Sequence, residues 1–336
     1  MNFVSFGEIL LRLTPTFNAV KIGSTDTLEM NFAGSESNVA SSLGFLGNRV
    51  KFISKVPDNS LGDAACASLR KYGVDTSQIA KGGNRIGIYF IETGKSIRPS
   101  KVIYDRAGSA ISEIKQGAFN WNEILLNQDW LFVSGITPVL SASCASETLK
   151  AVTTAKNMGV KVAFDPNFRR SLWSSTAAAR KIFLPILEQT DLLFGNYGMM
   201  MDVFDYTPKG DSSLEKSMHS IEKASEIFTI PRIAFTVRDH SSASKNKISA
   251  ILRADNSILQ SNNTYDVEIM DRFGTGDAFA AAFLHAYGKE WKNQQALDFA
   301  TAAFGLKHTI KGDQHTSTEE EITSIMHGNT QGHVIR

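Results

Sequence analysis

Asp271-Arg272-Phe273-Gly274-Thr275-Gly276-Asp277 runs directly into Ala278-Phe279-Ala280-Ala281-Ala282-Phe283-Leu284, and this junction decides the architecture of the chain. The second half is strongly helix-forming and has no polar face. It predicts a buried helix, with Gly288 as its stop. The two glycines then stand at the N-terminus of that helix. Unpaired backbone N–H groups point outward there, and the dipole favours negative charge. Glycine lets the backbone approach an anion with no Cβ in the way. An aspartate beside such a cradle repels phosphate, but it can accept a proton. A hydroxyl that attacks phosphorus must lose its proton, and a carboxylate within hydrogen-bond reach takes it. The same residues also fit a plainer reading, a glycine-rich helix start with Asp277 as its N-cap. The string alone does not separate the two.

Upstream, short apolar runs alternate with helical patterns. Trp130–Gly135, Val160–Asp165, Asp191–Asn196 and Arg232–Val237 read as buried strands, while Ala142–Met158 and Thr176–Gln189 carry helical apolar spacing. This alternation predicts an α/β fold with a mostly parallel sheet covered on both faces. The strands end in polar residues: Asp165 and Asn167, Asn196, then Thr236 and Arg238. Ligands of open α/β sheets bind beyond the carboxyl ends of the strands, although Asp and Asn also end strands as ordinary turn formers. Ile88–Glu92 and Val102–Arg106 differ in style and predict a hairpin apart from the alternation, either a small antiparallel lid over the crevice or an edge hairpin. Tyr104 and Arg106 share one face of it.

Composition excludes several classes. The chain has 336 residues and a formal net charge of +1, so no basic excess points to nucleic acid or an anionic membrane. Any bound anion must be met by local groups. Two cysteines, Cys66 and Cys144, suit a reducing cytosol and read as small buried hydrophobes. The start Met1–Glu8 lacks the basic region of a signal peptide, and no apolar run reaches membrane-span length. His308 and His315 have no ligand-type spacing and read as surface or core residues. The expectation is a cytoplasmic protein, and the metal ligands are left unassigned. Tyr206–Ser217, polar with Pro, Lys and Gly, reads as a surface insertion.

Asp271–Phe279 resembles the C-terminal signature of the ribokinase-like (PfkB) carbohydrate kinases. Asn31-Phe32-Ala33-Gly34-Ser35-Glu36-Ser37-Asn38-Val39-Ala40 resembles the other signature of that family, with Leu46-Gly47 at the matching spacing and Phe6-Gly7-Glu8 as the opening strand. Within the family the chain is most similar to the 2-keto-3-deoxygluconate kinases, through Arg98–Ala107, Asp165–Arg169 and Lys307–Asp313. The resemblance implies one ribokinase-like three-layer αβα sandwich over residues 1–336, with a small β-sheet lid formed by segments near 12–32 and 86–108. It also implies phosphorylation of a sugar-acid 6-hydroxyl with ATP and Mg²⁺; whether the lid also forms the interface of a homodimer or higher oligomer is left open by the sequence.

By the same resemblance Asp277 is the general base, and the backbone of Gly274, Thr275 and Gly276 is the anion hole. Substrate contacts fall to Gly34, Asn38, Tyr89, Tyr104, Arg106, Arg169 and Asp313. Nucleotide contacts fall to Asn167, Asn196, Thr236 and Arg238, with Gly274 and Gly276. The physical reading runs beside it. Gly34 and Asn38 are four apart and share a helix face, with Val39, Leu43 and Leu46 as the anchoring stripe. Arg106 and Arg169 are partners for a carboxylate, because guanidinium binds it in a bidentate fork; an ordinary surface arginine is the plain alternative for each. Two features depart from the family. Met199 stands where many relatives carry a Glu that organises Mg²⁺ through water, and Asp202 is a weak substitute. Thr275 replaces the usual alanine, with little effect expected. A neutral-sugar kinase and a non-catalytic sugar-sensing protein are the competing readings.

Overall fold

Central-sheet residues point alternately into two apolar layers. Trp130 and Phe132 enter one cluster while Leu131 and Val133 enter the other; Phe194 and Leu193 divide the same way. Period-two alternation between two buried faces is what a sheet covered on both sides requires. The computed structural model describes residues 1–332.

In chain order the N-terminal half holds β1 (Asn2–Phe6), β2 (Leu10–Pro15), β3 (Leu28–Ala33), α1 (Ser35–Phe45), β4 (Arg49–Val56) and α2 (Ser60–Arg70). Then come β5 (Val74–Asp75), β6 (Ile79–Lys81), β7 (Ile88–Glu92), β8 (Lys101–Asp105), α3 (Trp121–Ile124), β9 (Trp130–Ser134) and α4 (Ala142–Asn157). The second half holds β10 (Lys161–Asp165), α5 (Thr176–Leu187), β11 (Leu192–Gly195), α6 (Tyr197–Phe204), α7 (Ser213–Ile227) and β12 (Arg232–His240). The chain continues through β13 (Lys245–Ala254), β14 (Ser257–Gln260), β15 (Tyr265–Glu268), α8 (Thr275–Gly288), α9 (Asn293–Lys307) and α10 (Glu319–Met326).

The large sheet has the order β14-β13-β12-β11-β10-β9-β1-β4-β5, with β15 on β13 and β6 on β4. Its pairs are parallel from β5 to β12 and antiparallel beyond. Alternation of strand and helix therefore predicts the correct class, an α/β fold with a mostly parallel sheet covered on both faces, and the three αβα layers are those the family resemblance implies. Buried Cys66 and Cys144 are free thiols in its core.

A second sheet, β3-β2-β7-β8, stands apart. The expected antiparallel hairpin is present, β7 pairing with β8, Tyr89 opposite Tyr104, but the sheet it joins is mixed, because β2 and β7 pair in parallel, Leu11 opposite Ile88. The intervening chain passes through α1, β4 and α2 and so returns in the same direction, which a tight hairpin cannot do. The expected surface insertion is also shorter than predicted. Ser212 and Glu215 form a capping box that starts α7, and Ser217 is buried within it. No helix among the described residues is long and apolar enough to cross a membrane.

Candidate active site

A cavity of about 610 Å³ opens between the lid and the carboxyl ends of the strands. Every candidate catalytic or binding residue named from the sequence lines it. Asp165, Asn167, Asn196, Thr236 and Arg238 come from strand ends; Tyr89, Tyr104 and Arg106 come from the lid. Gly34, Asn38, Arg169, Asp313 and the run Gly274–Asp277 complete the wall.

Asp277 is not a helix cap. The N-cap of α8 is Gly274, and no side chain caps this helix. The Asp277 carboxyl instead crosses to α1, accepting from Ser35 Oγ at 2.9 Å and from Asn38 Nδ2 at 2.7 Å. Asn167, expected beside the nucleotide, donates through Nδ2 to Ser35 Oγ at 2.8 Å and so joins the chain of hydrogen bonds ending on Asp277. Gly34 lies just outside α1 as its N-cap rather than on its face, and its N–H donates to Asn38 Oδ1. Burial pushes the Asp277 pKa up from 3.8; the Asn38 and Ser35 bonds resist, while the Asp165 and Asp313 charges add to the rise, and the balance lies at about 7. Asp165 is raised as well, chiefly by its own burial.

The chain reaches α8 through Gly274 at φ 73°, left-handed geometry that suits glycine, and any Cβ there would overlap the Asp313 carbonyl oxygen. A Cβ on Gly276 would instead project into open space. Ala278 is the first residue of α8 whose N–H finds an intrahelical acceptor, Gly274 O at 2.9 Å. The N–H groups of Thr275, Gly276 and Asp277 are left for a ligand. Beside them Arg238 donates from Nη2 to Thr275 Oγ1 at 2.9 Å, while its buried Nε has no acceptor. Burial, with Arg272 and Arg169 nearby, lowers the Arg238 pKa to about 10. A half-buried guanidinium that forms no ion pair with any described residue calls for an anion. These groups fit a polyphosphate. Thr275 is more than a stand-in for alanine, because its hydroxyl links Arg238 to the Arg272 carbonyl oxygen.

The lid side is organised around internal pairs. Arg106 donates from Nη2 to Glu8, which also accepts from Ser109 Oγ at 2.5 Å; Arg106 Nε is buried with no partner. Tyr89 Oη donates to Asp313 Oδ1 at 3.1 Å. Arg169 is exposed at the cavity wall and forms no ion pair with any described residue. Asp202 is paired with Arg170, and Met199 is buried behind Asn196. Among the described residues no group of three or more His, Cys, Asp and Glu side chains is arranged to hold a metal. His308 and His315 are core residues, held neutral by burial.

Residues 2–197 match the family model described as "pfkB family carbohydrate kinase". This chain belongs to that family of sugar kinases. The fold agrees closely with 2-dehydro-3-deoxygluconokinase from Thermotoga maritima, 40% identical, covering 98% of this chain and all of that one, with a TM-score of 0.94. A PfkB family carbohydrate kinase from Listeria grayi is 30% identical over 97% of this chain and all of that one, with a TM-score of 0.89. The 2-dehydro-3-deoxygalactonokinase of Haloferax volcanii is 30% identical over 98% of both chains.

Two wall residues, Ser35 and Glu8, and the buried Arg12 behind the wall were not singled out from the sequence of this family member. Ser35 stood within a quoted motif, and its position one residue after Gly34 at a helix start was the available signal. Glu8 follows β1, the same strand-end position that drew attention to Asp165. Arg12 gave no signal, since a lone arginine in a short strand reads as solvent-facing.

Proposed function

We propose that this chain transfers the γ-phosphoryl group of ATP to the 6-hydroxyl of 2-keto-3-deoxygluconate, giving ADP and 2-keto-3-deoxy-6-phosphogluconate. The observation that carries the reading is Asp277, a buried carboxylate pushed up to about 7 and held by Ser35 and Asn38 at the open N-terminus of α8. A base titrating near neutral pH accepts a hydroxyl proton far better than an ordinary aspartate. The N–H groups of Thr275, Gly276 and Asp277, with Arg238, meet the charge on phosphoryl oxygens. They are fixed in advance, so they need no reorganisation as that charge grows. Asn196 and Thr236 line the same half of the cavity and are assigned to the nucleotide. ATP supplies the phosphoryl group, and Mg²⁺ screens its oxygens. When bound with ATP the ion would be held largely by the phosphates, and Asp165 is the cavity carboxylate that would meet its waters.

The acid group of the substrate is assigned to Arg169 and to the unpaired Nε of Arg106, with Tyr89, Tyr104, Gly34, Asn38 and Asp313 shaping the sugar pocket. The names of the Thermotoga and Haloferax relatives favour a 2-keto-3-deoxy sugar acid, and the higher identity of the first favours the gluco form. The test compares wild type with an Arg106→Gln, Arg169→Gln enzyme. Two charge-assisted contacts at about 1.5–3 kcal/mol each predict a loss of about 10²–10⁴ in kcat/KM for the acid. Turnover of fructose or ribose should change less than about threefold. An equal loss on both substrate classes removes the assignment.

A further inference from the structure

Arg12 is buried on the lid strand β2, and each of its three nitrogens has a partner. Nη1 donates to Asp313 Oδ2 at 2.5 Å, Nη2 to Asp271 Oδ2 at 2.7 Å, and Nε to Thr14 Oγ1 at 2.9 Å. The guanidinium also lies 5.2 Å from the Phe273 ring centroid. Both carboxylates belong to the segments that shape the cradle. Asp271 Oδ1 accepts from the N–H of Phe273, and its Oδ2 accepts from the N–H of Gly312, each at 3.1 Å. The Asp313 carbonyl oxygen packs against Gly274 so closely that no Cβ fits between them. A second lid strand reaches the same point, through Tyr89 Oη on Asp313.

We infer that Arg12 is a positioning residue for phosphoryl transfer: it ties the lid to both segments that fix Gly274, so the sugar pocket and the phosphate cradle keep one relative geometry. This rests on the assignment of Gly274–Asp277 as the transfer site. A buried ion triad adds little stability over apolar packing of the same volume. What it supplies is direction, because a planar fork can satisfy two carboxylates at a fixed angle and an ammonium cannot. In-line transfer tolerates little displacement, and about 1 Å of misplacement costs on the order of a hundredfold in rate. Loosening the clamp should also let water compete for the phosphoryl group, giving ADP, inorganic phosphate and a proton in place of ADP and sugar phosphate.

The experiment follows ADP and sugar phosphate separately in wild type, Arg12→Lys and Thr14→Val, with thermal melts to establish folding. Arg12→Lys keeps the charge but frees one carboxylate. Its kcat should fall about tenfold or more, KM for ATP and for sugar should move less than about threefold, and ADP should exceed sugar phosphate. Thr14→Val removes only the Nε contact and should show the same excess of ADP in smaller degree. A lower melting temperature with unchanged kcat and one sugar phosphate per ADP overturns the inference. If Arg12→Lys does not fold, Thr14→Val decides, and tight coupling with full kcat overturns it. Failure of wild type to phosphorylate any sugar refutes the functional assignment instead, and that arm is read before the variants.

Discussion

Replacing Asp277 by Asn should remove catalysis and stabilise the fold, and the two effects come from one cause. The carboxyl is buried, and its pKa lies at about 7 against 3.8 for an ordinary aspartate. Below 3.8 both folded and unfolded chains hold the proton, and the group carries no penalty. As pH rises from there to about 7 the unfolded chain releases its proton while the folded chain retains it, so stability falls through this window. At about 1.4 kcal/mol per pH unit, the loss at pH 8 is about 4 kcal/mol. Asparagine mimics the protonated form. It keeps the contact from Asn38 but no longer accepts the Ser35 hydroxyl in the same way, a loss of about 1 kcal/mol. Asp277→Asn should therefore be about 3 kcal/mol more stable than wild type at pH 8 and within about 1 kcal/mol of it at pH 5. Urea melts at the two pH values measure this. Turnover should fall by at least the 10²–10⁴ that general-base catalysis supplies. A pH-independent stability difference, or robust turnover by the Asn enzyme, refutes the reasoning.

Three further outcomes follow from the same geometry. The acid limb of kcat/KM should centre near pH 7 because Asp277 works only when ionised, and Asp165→Asn should move that limb to lower pH by removing a charge that raises the base; a limb unmoved by Asp165→Asn contradicts the coupling. Gly274→Ala should cost at least about 2 kcal/mol in stability and about a hundredfold in kcat, since alanine is strained at φ 73° and its methyl meets the Asp313 carbonyl; melts and initial rates check both. Arg238→Met should raise KM for ATP about tenfold while leaving KM for the sugar nearly unchanged, because Arg238 lines the cavity and its guanidinium reaches Thr275 of the cradle through Nη2.

The central sheet was legible because parallel strands buried on both faces leave an unambiguous apolar trace, as in Trp130–Ser134. Gly274 to Asp277 was legible as a helix start, but its chemistry was not. Choosing between cap and base required knowing that the Asp277 side chain crosses to Ser35 and Asn38, about 240 positions away in sequence. The lid was visible as a hairpin, yet its parallel β2–β7 pairing was hidden because strand patterns carry no record of direction. Arg106 read as a candidate site residue and lines the cavity, whereas its pairing with Glu8 depends on tertiary placement. Arg12 was invisible for a similar reason. Its carboxylates lie about 260 and 300 residues away, and nothing local distinguishes a buried clamp from a surface charge.

The central claim is that Asp277 activates the 6-hydroxyl of an acidic sugar. Its most direct test incubates the enzyme with ATP, Mg²⁺ and a panel containing 2-keto-3-deoxygluconate, its galacto epimer, fructose and ribose, and locates the new phosphate by NMR. The account predicts phosphate on C6 of 2-keto-3-deoxygluconate, with kcat/KM for the neutral sugars lower by about a hundredfold or more. Phosphate at another carbon, or a neutral sugar used as well as the acid, would contradict it.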